Sequence, residues 1–173
     1  MAPQIYVRKK KMIEFDLFQV EAGWAHANIS AGDGKLAISA SYTPTDSVRD
    51  FVDAVASLQT AASAHCCWFQ EPGEMHWQFL RFERNVEVKV IHFGGVRMPK
   101  RHGPDGTTVF KADATWLDFA TQVLRALVTV RRSLGVDGYE REWRRPFPQE
   151  ACDKLESAIQ LETSRPSALP PTG

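Results

Sequence analysis

Alternation of apolar and polar positions marks out a run of strands. Ile13, Phe15 and Leu17 alternate with Glu14 and Asp16 up to Val20, and Ala22-Gly23 ends that strand. Trp24 to Ser30 reads as a second strand and the turn Ala31-Gly32-Asp33-Gly34 follows it. Leu36 to Tyr42 is a third, with Leu36, Ile38, Ala40 and Tyr42 on its inner side. After Thr43-Pro44-Thr45-Asp46 the period lengthens. Val48, Phe51, Val52, Val55 and Leu58 recur at helical spacing, with Asp46 or Ser47 as N-cap and an end near Ala62.

Ala64 to Phe93 organises the rest. It predicts three antiparallel strands joined by turns at Glu71-Pro72-Gly73-Glu74 and Arg84-Asn85. That places Trp68 opposite Trp77, and Phe79 between Cys66 and Val90. A core face then carries Cys66, Trp68, Met75, Trp77, Phe79, Val88 and Val90. The other face is mixed. Its expected rows are Phe69–His76–Phe93, Cys67–Gln78–Ile91 and His65–Leu80–Lys89. Gly94-Gly95 ends the meander. A polar loop over 96–112 contains Arg101, His102 and Asp105, with a short strand at Thr107–Phe110.

Thr115, with Asp118 three residues on, opens the strongest helix. Its apolar face runs from Trp116 to Leu134, and Gly135 is the expected left-handed cap. Tyr139 to Arg144 reads as a helical turn, and Pro148 starts a last helix through Leu161. The order β-β-β-α-β-β-β-α-α predicts an α+β domain. Its expected form is one antiparallel sheet of about six strands with the helices packed on one face. The expected organisation is a flexible basic lead over 1–12, one domain over 13–162 and a disordered tail over 163–173.

Composition changes this picture little. The 173 residues are 43% hydrophobic and 24% charged, enough for a core. Basic and acidic residues number 21 each, a balance that disfavours nucleic acid as a partner. No apolar run of membrane-spanning length and no secretory leader is legible. Three cysteines without a spaced framework, two of them adjacent, fit a reducing cytoplasm.

The chemistry-bearing residues assemble into no complete motif. His65, Cys67 and His76 share the mixed face, but they lack a fourth ligand and any CxxC, HxH or HExxH spacing. Cys67 beside His76 lacks an orienting group for a thiol nucleophile. Glu71 and Glu74 read as solvated turn residues. Gly94-Gly95 lacks the helix and lysine of a phosphate loop. No catalytic residue, cofactor or metal is therefore expected. The mixed face reads instead as a partner surface, with Phe69, His76, Gln78, Lys89, Phe93, Arg101, His102, Asp105 and Trp143 as its candidate residues. The alternative is a small enzyme or ligand-binding domain. Its site would lie between the 96–112 loop and the sheet, with His92 or His102 beside a carboxylate.

Gly23-Trp24-Ala25, Ser41-Tyr42, Phe69-Gln70-Glu71-Pro72-Gly73 and Gly138-Tyr139 to Trp143 with Phe147-Pro148 resemble segments of small uncharacterised bacterial proteins. Some of these look like immunity proteins of polymorphic or contact-dependent toxin systems. The resemblance spans roughly residues 13–161. It implies a cytoplasmic, non-enzymatic protein, a monomer or weak homodimer, that binds and blocks a cognate toxin domain. Many immunity proteins are acidic, and the neutral charge here departs from that.

Overall fold

The computed structural model describes residues 12–94 and 106–166. Arg101, His102 and Asp105 lie outside these residues, as do most of the expected lead and tail. Within them the chain is α+β, with two antiparallel sheets rather than one. The first sheet has the order β1 (Ile13–Glu21), β2 (Trp24–Ala31), β3 (Gly34–Ser41). Helix α1 (Ser47–Ser57) follows. The second sheet is β4 (Ser63–Phe69), β5 (Glu74–Phe82), β6 (Asn85–Phe93), β7 (Thr107–Thr115). Helices α2 (Trp116–Trp143) and α3 (Gln149–Thr163) complete the chain. No β3–β4 ladder joins the sheets. Near this boundary the Gln70 side chain donates to the Ser39 carbonyl at 3.1 Å.

The expected short strand at Thr107–Phe110 extends to Thr115 and pairs with β6. Its inward residues after Phe110 are only Ala112 and Ala114, too small to stand out as a pattern. Val109 is skipped by the register between Val90 and Ile91 and stays exposed. A second irregularity lies between Leu17 and Gln19. It turns Phe18 outward while Leu17 and Val20 both remain buried.

The core face of the second sheet is sealed. Trp68, Trp77, Phe79, Val88 and Val90 are all buried. Phe51 of α1 is the centre of that seal. Its ring meets Phe15, Trp68, Trp77, Phe79 and Phe119, with centroids 4.7–6.5 Å away. Removing one such side chain from water stabilises the fold by about 2–3 kcal/mol. Helix α2 packs along β1, and α3 covers α1 and α2. Thr115 caps α2 as expected, its Oγ1 accepting from the Asp118 amide at 3.1 Å.

Gly135 does not end α2. It has φ +69° and ψ 171°, a conformation nearly restricted to glycine, and breaks the helix into two segments before Trp143. The second segment carries Tyr139 and Trp143 into the core, so the predicted helical turn is a continuation. Three of the segments singled out in the sequence, around Gly23, Tyr42 and Tyr139–Trp143, meet there. The Gly23 amide donates to the Glu142 carbonyl at 2.6 Å, and the Tyr42 amide donates to the Gly23 carbonyl at 3.0 Å. A Cβ on Gly23 would come within 2.7 Å of the Tyr42 ring. Their role in this structure is to pin the end of α2 to the first sheet.

Candidate functional site

The outer face of the second sheet holds five of the nine candidate residues. Phe69 comes from β4, His76 and Gln78 from β5, Lys89 and Phe93 from β6. All five are exposed or half-buried, opposite in direction to the sealed tryptophans. Trp143 is elsewhere. It is fully buried, and its Nε1 donates to Asp46 Oδ1 at 2.9 Å. It offers a partner no surface. Gly138 and Tyr139 are buried on the same segment, which packs against the body of the fold rather than presenting a surface.

The rows differ from expectation by two residues. The Gln70 amide donates to the Gly73 carbonyl at 2.9 Å, so Phe69 pairs with Glu74 and Trp68 with Met75. The next hairpin turns at Glu83-Arg84, not Arg84-Asn85, and Phe82 pairs with Asn85. Glu83 takes the required positive φ of 53°. The rows are therefore Phe69–Glu74–Phe93, Cys67–His76–Ile91 and His65–Gln78–Lys89. A two-residue slip keeps every side chain on its face but changes all its neighbours.

Corrected in this way, the register assembles a cluster that the expected rows disperse. Cys67 lies directly across from His76, and Glu74 sits two residues before His76 on the same face. His76 Nε2 is 2.7 Å from Glu74 Oε2. A carboxylate only accepts, so the imidazole donates. The Cys67 thiol donates to the same carboxylate oxygen at 3.9 Å. Glu74 is thus the orienting group that sequence reasoning did not find, read there as a solvated turn residue. The missed signal was the Glu-x-His spacing, which puts both side chains on one strand face. His65, the third member of the expected set, is exposed one row further along.

Apolar surface flanks the cluster on both sides. The Phe93 ring lies 4.6 Å from the imidazole, centroid to centroid. Gly106 returns the chain against Ile91 and Phe93 so closely that a Cβ there would fall within 2.6 Å of either side chain. Beyond Gln78, Leu80 and Phe82 are 53% and 46% exposed. Between these apolar ends, Lys89 stands opposite Lys111, which pairs with Glu87 at 2.9 Å. His92 pairs with Met75, on the opposite face from His76. Three surface hollows lie between α1 and β4, between α2 and α3, and between α1 and α3, and His92 lines none of these three.

The two buried thiols are inert by environment. Burial pushes the Cys66 thiol well up, with Asp50 and Cys67 adding to it. Burial pushes Cys152 up to about 12, with Asp153 adding. A protonated thiol is a poor nucleophile and a poor ligand. Neither belongs to the outer face.

Among the described residues no helix is long and apolar enough to cross a membrane. Comparison with protein-family models, with curated proteins and with solved structures finds no match.

Proposed function

We propose that this chain is a non-enzymatic binding protein that docks a cognate protein on the outer face of β4–β7. The form best matched to the resemblance is an immunity protein that covers a toxin domain. It would act as a monomer or weak homodimer, with a protein rather than a nucleic acid as partner. The observation that carries this reading is the contrast between the two faces of one sheet. One is sealed by α1 and α2. The other leaves Leu80 and Phe82 exposed beside Gln78, with Phe69, Ile91 and Phe93 half-buried around His76. Apolar groups interleaved with amide, imidazole and ammonium groups are the composition of a protein interface. Co-purification with the product of the adjacent gene, and protection of cells expressing that product, tests the reading.

A second reading is a ligand site between the 96–112 segment and the sheet. It draws on Gly106, which lies against Ile91 and Phe93, the latter beside the His76 ring. Screening the purified chain for small-molecule binding separates the two.

A further inference from the structure

We propose that Cys67, Glu74 and His76 form a binding site for a zinc-class divalent ion. The three side chains each offer one donor atom, and these atoms all lie within 4.8 Å of one another. The set is one sulfur, one nitrogen and one carboxylate oxygen. That mixture suits zinc, a borderline-soft ion, and disfavours magnesium and calcium, which prefer all-oxygen shells.

The arrangement follows from the sheet. Directly opposed residues on an antiparallel pair place their Cβ atoms about 5 Å apart, which brings Cys67 to His76. Glu74 and His76 project from the same face of β5. Three donors thus come from two rigid strands, and the backbone needs no rearrangement to gather them. In a tetrahedral zinc site, N···O separations are about 3.3 Å and S···N separations about 3.6 Å. The present 2.7 Å between His76 and Glu74 is that of a hydrogen bond. An ion would part those two slightly and draw Cys67 inward, by side-chain rotation alone. The Cys67 proton leaves to solvent as the thiolate binds, and the imidazole offers one unprotonated nitrogen.

Three protein donors on a solvent-facing surface leave the fourth position to water. The side chains of His76 and Glu74 are 27% and 28% exposed, so the ion can enter without local unfolding. The Phe93 ring beside the imidazole shields one side of the cluster. The site needs no partner and stands or falls separately from the docking reading.

Cobalt titration of the purified full chain under reducing conditions tests this. Expected is one equivalent bound, with a thiolate-to-cobalt charge-transfer band that zinc abolishes by displacement. Cys67→Ser should eliminate the band. Glu74→Gln and His76→Gln should each weaken binding roughly tenfold or more, since even supporting groups of a metal site contribute that much. His65→Ala and Cys152→Ala should bind as wild type. Unchanged circular dichroism without metal establishes that the variants are folded. No charge-transfer band in the wild type, or a band that persists in Cys67→Ser, overturns the assignment.

Discussion

Asp46 Oδ1 accepts two hydrogen bonds, one from the Trp143 indole at 2.9 Å and one from the Arg49 amide at 3.2 Å. A single carboxylate thus caps α1 and anchors the end of α2, 97 residues away. Asp46→Ala removes an N-cap worth about 1 kcal/mol. It also leaves a buried indole N–H unpaired, which costs about 1–3 kcal/mol more. The expected loss is about 2–4 kcal/mol, read in urea unfolding. Asp46→Asn keeps an acceptor in place and should lose about 1 kcal/mol or less.

Arg81 and Glu162 tie α3 to β5 in the same way. The guanidinium donates to Glu162 at 2.7 Å, and the two side chains are only 8% and 4% exposed. Arg81 also lies over the Trp116 ring, 4.8 Å from its centroid. Glu162→Ala strands a buried positive charge, and the expected cost is about 3–5 kcal/mol. Arg81→Met with Glu162→Leu removes both charges together. That double variant should unfold within about 1–2 kcal/mol of wild type. Equal losses in the single and double variants would show that packing, not charge pairing, holds α3 in place.

The buried thiols make stability fall as pH rises into the alkaline range. Cys66 and Cys152 are raised in the folded chain, first by burial. In the unfolded chain a thiol ionises near pH 8.5. Their contribution is therefore complete below about pH 8.5 and declines as pH rises, because the unfolded state then sheds protons that the folded state keeps. For Cys152 the decline runs up to about 12. In that window Cys152 contributes a slope of about −1.4 kcal/mol per pH unit. Stability of Cys152→Ala, followed from pH 9 to pH 11, should fall less steeply than wild type by about that amount per unit.

Much of the fold is legible in the sequence because side-chain direction follows a local period. Trp68, Trp77, Phe79, Val88 and Val90 point inward in any register that respects alternation, and the stripe of Phe51 must meet them. Pairing is not local. Which amide closes a turn decides whether Cys67 faces Gln78 or His76, and a Pro-Gly dipeptide fits both turn positions. That ambiguity hid the pairing of Cys67 with His76, and reading Glu74 as a turn residue hid the third donor. The division into two sheets was equally hidden, since alternation in β3 and β4 carries no record of which strands share a ladder. Trp143 is a separate case. Its burial follows from the break at Gly135, which re-aims the segment after it.

The most direct measurement is the affinity for the adjacent gene's product, by calorimetry, of chains altered on either side of the molecule. Gln78→Arg and Leu80→Asp change exposed positions on the outer sheet face, and Arg125→Glu changes an exposed position on α2. If the open face of β4–β7 is where a partner docks, the first two weaken the complex at least tenfold, about 1.4 kcal/mol, and the third leaves it unchanged. Full affinity in both sheet variants, with loss in Arg125→Glu, would place the partner on the helices and contradict the docking face.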